Sequence, residues 1–159
     1  MVSIAINPTT DEAARNKPQQ IKNNGFWPDL DLQHYRDTMR QDGTLTPARL
    51  REAAQFALNE THHRLAQWQK KQQQAGYTTL VEVPGEQVDD ENARLHLYRR
   101  AVYCLIQATV TERFRSFDAT ATGDKRADAL ETRIEHLRRD AAWAIRDLQG
   151  LPRATIALI

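Results

Sequence analysis

Five histidines, a run of three acids and a single cysteine are the residues of this sequence with the chemistry to hold a metal, move a proton or attack an electrophile. His34, His62, His63, His96 and His136 are scattered along the chain, and no pair has the i, i+4 spacing with a neighbouring carboxylate that gathers imidazoles around zinc on one helix face. Glu60-Thr61-His62-His63 has the residue types of such a site at the wrong spacing, so these imidazoles are read as core or surface side chains. Asp89-Asp90-Glu91 invites a metal reading too. Acids just ahead of a helix also answer its unpaired amides and its macrodipole, and capping is the simpler assignment. Cys104 lies in the most apolar run of the chain, where a thiol packs as a small hydrophobe and lacks the electropositive, accessible setting of a nucleophile. The sequence has no glycine-rich phosphate loop and no Gly-x-Ser-x-Gly elbow, and its six glycines are thinly spread. The expectation is a protein without catalytic, cofactor or metal sites.

The elements that would position these residues are arranged around Ala101 to Val110, where only Gln107 and Thr109 interrupt an apolar run. Neither Gly nor Pro occurs between Glu86 and Ala121, which favours one long helix, apolar on nearly all sides at its middle. A run of about ten residues is far below the roughly 20 that cross a bilayer. Its neighbours must therefore be other helices of the chain.

Val2, Ile4 and Ile6 alternate with Ser3, Ala5 and Asn7 in a strand-like pattern, and the polar stretch from Pro8 to Gly25 lacks a core of its own. Phe26-Trp27-Pro28-Asp29-Leu30-Asp31-Leu32 follows, with Pro28 and Asp29 placed to start a short helix in which Leu32, Tyr35 and Met39 share a face and which Gly43 ends. Thr46-Pro47 opens the next helix with a capping hydroxyl and a proline in the first turn. Its seam runs through Leu50, Ala54, Ala57, Thr61, Leu65 and Trp68, its far half from Gln67 to Gln74 is polar, and Gly76 stops it near Ala75. Tyr77 to Val83 reads as strand-like before Pro84-Gly85, either a loop pinned to the domain or an arm that pairs with another subunit. After a small-residue loop from Asp118 to Gly123, a last helix from Asp124 carries Ala127, Leu130, Ile134, Leu137, Ala141, Ala144 and Leu148 on one stripe and ends at Gly150. The predicted fold is all-α, an antiparallel bundle of three long helices and one short helix with extended N- and C-terminal arms. Residues 1–25 form a flexible arm, 26–150 the bundle and 151–159 an apolar tail.

A chain of 159 residues buries enough surface for one self-sufficient core. A lone cysteine and the lack of a signal peptide fit synthesis in a cytoplasm. With 22 basic and 21 acidic side chains, the balance argues against a dedicated nucleic-acid coat or an anionic-membrane binder. Arg99-Arg100, Lys125-Arg126 and Arg138-Arg139 sit among acids such as Glu112, Asp124, Glu135 and Asp140, as on solvated, salt-bridged helix faces. The long second helix also lacks the rhythm of a helix-turn-helix. A small helical DNA-binding or packaging accessory protein is the competing class, and a helical enzyme with an unrecognised carboxylate pair the third. The odd feature is the end, where Leu151, Ile156, Leu158 and Ile159 are apolar although free termini are normally polar. They either pack back on the bundle or add to a groove or sheet edge of a partner, and Pro152 suits extended geometry in both cases.

Phe26-Trp27-Pro28-Asp29-Leu30-Asp31-Leu32, Thr46-Pro47-Ala48-Arg49-Leu50-Arg51, Leu97-Tyr98-Arg99-Arg100-Ala101-Val102-Tyr103 and Trp143-Ala144-Ile145-Arg146-Asp147-Leu148 occur in an order that resembles the head completion proteins of contractile-tailed temperate phages. The resemblance covers the chain from Phe26 onward and carries no catalytic signature. It implies a structural adaptor of the virion at the head-tail interface, a dodecameric ring bound beneath the portal after DNA packaging, in keeping with the portal. Its implied partners are the portal protein, other copies of itself, the next connector or tail-terminator protein, and DNA only in passage through the channel, with no membrane. The tail residues Leu151, Pro152, Ile156, Leu158 and Ile159 would then dock on the portal. Trp68, Tyr77, Leu80, Val81 and Val83 would contribute to contacts between subunits of the ring, whose closure needs two different patches.

Overall fold

The computed structural model describes residues 19–41, 44–114 and 123–153. The chain is mainly helical: α1 (Leu32–Met39), α2 (Pro47–Gln74), α3 (Ala93–Phe114) and α4 (Gly123–Leu148), with a 3₁₀ turn at Leu80–Glu82. Two antiparallel ladders of two-residue strands accompany them, β1 (Gln20–Ile21) against β2 (Leu30–Asp31) and β3 (Gln87–Val88) against β4 (Glu91–Asn92). The strand-like pattern of Val2, Ile4 and Ile6, Gly43, the loop at 118–122 and the last six residues lie outside the described residues.

Helix α3 packs against both α2 and α4. Every residue from Ala101 to Ala108 on it is buried, so it has no solvent face over two turns. The polar interruptions are satisfied locally. Gln107 Oε1 accepts from Tyr35 Oη at 2.9 Å and from Gln41 Nε2 at 2.7 Å, and its amide donates to Thr111 Oγ1 at 3.3 Å. Thr109 donates to Leu105 O at 3.0 Å.

On α2, Thr46 Oγ1 accepts from Arg49 N and Pro47 occupies the first turn. The predicted seam is buried at Leu50, Ala54, Ala57, Thr61 and Leu65, joined by Ala53 and Leu58, with Trp68 half-buried. Gly76, at φ +101°, closes the helix: its amide reaches Gln73 O and that of Tyr77 reaches Gln72 O, a pair of bonds that needs the left-handed backbone glycine adopts freely.

Two helix starts differ from the sequence reading. Helix α1 begins at Leu32 rather than at Pro28-Asp29, because Leu30 and Asp31 stay extended in their ladder with β1. Asp31 Oδ1 then takes the amides of Gln33 and His34 at 2.9 and 3.1 Å, while Asp29 accepts instead from Asn23 N. Asp89 and Asp90 are not caps. With φ of +53° and +58° they form the two-residue hairpin turn between β3 and β4, and Asn92 Oδ1 takes the Arg94 amide at the start of α3. Tyr77 to Val83 contains no strand. Leu80 is fully buried and its amide bonds Phe26 O, so this segment is a loop pinned to the domain.

The segment at 20–27 binds the outside of the helices through aromatic rings. Trp27, buried, stacks on Tyr98 of α3 at 4.9 Å and on His62 of α2 at 5.7 Å, with planes within 10°, and Phe26 meets it edge-on at 4.9 Å. Asn23 Nδ2, which only donates, gives to Tyr98 Oη at 2.9 Å, so the phenol passes its own proton toward His62 Nε2 at 2.9 Å. Trp27 Nε1 donates to Gln69 Oε1 at 3.0 Å. Ile21 and Asn23 thus contribute to the fold from within the stretch the sequence assigns to the arm.

Replacing Tyr98 with Phe keeps the stack and orphans both partners of the hydroxyl; urea unfolding should show a loss of about 1–3 kcal/mol. Burial holds the His62 pKa below its ordinary value. Unfolding restores a pKa near 6.5, so as pH falls through about that value the unfolded chain takes up a proton that the native chain refuses. Stability should therefore decline between about pH 7 and about pH 5.5. The His62→Gln variant, which keeps an acceptor for Tyr98, should show a shallower decline in the same urea titrations.

Candidate interaction surfaces

Chemistry at the chain end starts from the termination of α4. Leu148 is buried, and the left-handed Gly150 (φ +70°) returns its own amide to Asp147 O and that of Leu151 to Arg146 O, both at 3.0 Å. The chain then folds back along α4. Arg146 Nε donates to Pro152 O at 2.7 Å, and Arg153 makes two bonds to the Asp147 carboxylate at 3.2 and 2.7 Å. The Arg153 and Arg139 guanidiniums lie 4.9 and 4.6 Å from the centre of the Trp143 ring. Arg153 holds the Asp147 carboxyl below the usual carboxylate range. Of the tail residues singled out in the sequence, Leu151 and Pro152 are exposed, and Ile156, Leu158 and Ile159 lie outside the described residues.

The residues singled out for subunit contact divide. Leu80 and Val83 are buried in the chain's own core, and Trp68 and Tyr77 pack partly against it. Only Val81 of the five is exposed. Two residues that the sequence reading missed hold this region in place. Asn92, itself buried, donates to Val83 O at 2.6 Å and to Val81 O at 3.5 Å. Arg94 Nε donates to Leu148 O at 3.1 Å, its Nη1 donates to Pro84 O, and its guanidinium lies 5.8 Å from the Trp68 ring centre. A Cβ at Gly85 would collide with that guanidinium and stand 3.0 Å from Asn92 Oδ1, which accounts for a glycine there. A cation beside the last carbonyls of α4 is where the helix dipole favours one.

Through Arg94, the end of α4 and the loop after Val83 share one guanidinium, although more than 60 residues separate Pro84 and Leu148 in sequence. Four large apolar side chains are strongly exposed among the described residues: Phe56 59%, Val81 59%, Val88 52% and Leu151 44%. Three of them, Val81, Val88 and Leu151, belong to elements that Asn92 and Arg94 tie together. Nothing in the sequence marked Asn92 or Arg94 for this role, since their partners are backbone carbonyls.

An open cleft of about 800 Å³ lies between α1, the β3–β4 hairpin, α3 and α4. Its charges are taken up in pairs. Glu91 binds Arg99 through both oxygens at 2.7 and 3.3 Å, Arg100 meets Asp140 at 3.4 Å, and His34 Nδ1 lies 2.7 Å from Tyr103 Oη. The Arg99 hydrogen bonds hold Glu91 below the ordinary carboxylate range, and burial pushes the Tyr103 phenol up to about 12 and the Cys104 thiol upward. These shifts carry acid and base away from neutrality, opposite to what proton-transfer chemistry requires. Elsewhere Arg113 pairs with Glu52 at 3.1 Å, Arg138 with Glu112 at 2.8 Å and Arg139 with Asp140 at 3.1 Å, the salt-bridged faces expected from the sequence. Among the described residues no three His, Cys, Asp or Glu side chains are grouped to hold a metal ion, and no helix is long and apolar enough to cross a membrane.

Comparison with known proteins identifies the setting of this surface. Residues 21–159 match the family model of the phage head completion protein (GPL). The chain is 40% identical over 139 residues to the head completion/stabilization protein of Escherichia phage P2, covering 87% of this chain and 82% of that one. It is 23% identical over 139 residues to the probable head completion/stabilization protein of Haemophilus phage HP1, covering 87% and 91% respectively. No solved structure matches the chain significantly. With the family model spanning most of its length, this chain belongs to the phage head completion protein (GPL) family.

Proposed function

We propose that this head completion protein acts as a head-tail connector adaptor, forming a ring beneath the portal after DNA packaging. In this reading the helices make an antiparallel bundle of three long members and one short one, with residues 151–159 a docking tail. The ring is a dodecamer matched to the portal; it helps retain the genome and offers a platform to the next connector or tail-terminator protein. The chain is made in the host cytoplasm and ends in the virion, and it catalyses no reaction. The observation that carries the proposal is that Arg94 and Asn92 tie the end of α4 to the loop carrying the exposed Val81, with the exposed Leu151 three residues beyond that end. Val81 is the member of the sequence-selected contact set with area to offer a neighbouring subunit. A ring needs one such patch to meet a different one, and Phe56 on α2 is an exposed apolar counterpart.

The pairing of Arg99, Arg100, Arg113, Arg138, Arg139 and Arg153 with carboxylates supports a channel over a DNA clamp. Phosphate contacts dominate affinity for duplex DNA, and cations already engaged give little grip.

The test is the mass of the complex formed between this chain and its cognate purified portal oligomer, beside the same chain ended after Gly150. The full chain should add a complete ring, whereas the shortened chain should stay helical and fail to add. Binding by neither chain would remove the portal from the reading. The chain alone should also pass through a duplex-DNA column at moderate salt without salt-dependent retention, the outcome that separates an adaptor from a DNA-binding accessory protein.

A further inference from the structure

We infer that Asp147, Trp143 and Arg153 form a clamp that positions the docking tail, acting on portal affinity without themselves touching the portal. The inference rests on the reading of residues 151–159 as that tail.

The geometry is that of a fixed departure point. A free C-terminal segment would begin to fray at the last helical turn, yet here three successive devices carry order past the end of α4. The Gly150 turn reverses the chain. Arg146 then holds the Pro152 carbonyl at 2.7 Å, and Arg153 grips Asp147 through two hydrogen bonds, the planar fork that guanidinium and carboxylate share. Trp143 adds a flat apolar face on which Arg153 and Arg139 both lie. Arg139 in turn is paired with Asp140, which also binds Arg100, so the ring sits within a continuous row of opposite charges. The groove beneath, about 190 Å³, is lined by Leu97, Trp143, Ala144 and these charged groups.

None of these bonds is needed to stabilise the core. Arg153 is exposed, and isolated surface pairs contribute little to folding. Their effect is to hold Leu151, Pro152 and Arg153 against the end of α4. A tail whose first residues are already ordered loses less freedom on docking, and affinity rises without any new contact to the partner.

The test measures binding of the full chain to the cognate portal oligomer, with Arg153→Ala, Asp147→Ala and a chain ended after Arg153 alongside. Each variant is compared with the wild type by circular dichroism and thermal unfolding. Both point variants should remain folded and bind roughly 3- to 10-fold more weakly, the range expected when ordering of a few residues is lost. Their binding should also depend less on salt, since the ion pair no longer contributes. A synthetic peptide of residues 150–159, which lacks the helix that supplies Asp147 and Trp143, should bind equally with Arg or Ala at 153. The swapped pair Asp147→Arg with Arg153→Asp should recover part of the affinity. Wild-type affinity in both point variants would overturn the clamp while leaving the tail reading standing. An equal loss in the Arg153→Ala peptide would also overturn it, by showing direct contact with the portal. Full affinity in the chain ended after Arg153 would instead overturn the tail reading and the clamp with it.

Discussion

A helix with no face left for water dictates the arrangement of everything around it. From Ala101 to Ala108 every position of α3 is buried, including Gln107, and two neighbouring helices cannot by themselves enclose a third. The remaining sides are closed by short pieces that would have no stability alone: α1 with Tyr35 and Leu32, the Phe26-Trp27 corner, and the 3₁₀ turn with Leu80. Each is fixed by one or two polar bonds to α3 or to Asn92 just before it. Tyr35 is held by Gln107, Asn23 by Tyr98, and the 3₁₀ turn by Asn92. An apolar helix surface supplies the driving force for burial but no direction. The buried polar groups supply the direction, because an unpaired one in that setting costs more than a displaced methyl group.

This division explains what was legible in the sequence. Features that depend on the nearest few residues were readable: the Thr46-Pro47 start, the stop at Gly76, the stripe through Ile134, Ala141, Ala144 and Leu148, and the stop at Gly150. Features decided by a distant partner were not. Tyr77 to Val83 alternates like a strand, yet among the described residues no strand pairs with it, and Leu80 and Val83 are drawn into the core instead. Asp89 and Asp90 look like caps only while the hairpin that places them in a turn is unseen. The start of α1 moved from Pro28-Asp29 to Leu32 because a ladder with β1 keeps the chain extended for two more residues.

The candidate surface was legible in the same uneven way. An apolar chain end after a glycine stop is conspicuous by composition, and Leu151 is indeed exposed. That its first residues are strapped to α4 follows from Arg153 meeting Asp147, six positions earlier across a reversal that periodicity does not reveal. Arg94 is harder still to recognise. Its partners are the carbonyls of Leu148 and Pro84, and any residue has a carbonyl, so no side-chain pattern in the sequence marks the site.

Near-zero net charge can arise in two ways, and the difference matters for a subunit proposed to form a ring around DNA. Cations and carboxylates segregated on separate faces would leave a strong local field, and a channel lined by one sign would either grip or repel the duplex. Here Arg99, Arg100, Arg113, Arg138 and Arg139 of α3 and α4 each lie within 3.4 Å of a carboxylate oxygen, so their fields are largely cancelled over a few ångströms. At physiological ionic strength, charges so paired are screened within about 8 Å. In the proposed ring the same interleaving would leave recognition between subunits and toward the portal to apolar contact and to backbone geometry. Both act only at close range, which suits a subunit that should assemble on its template and not beforehand.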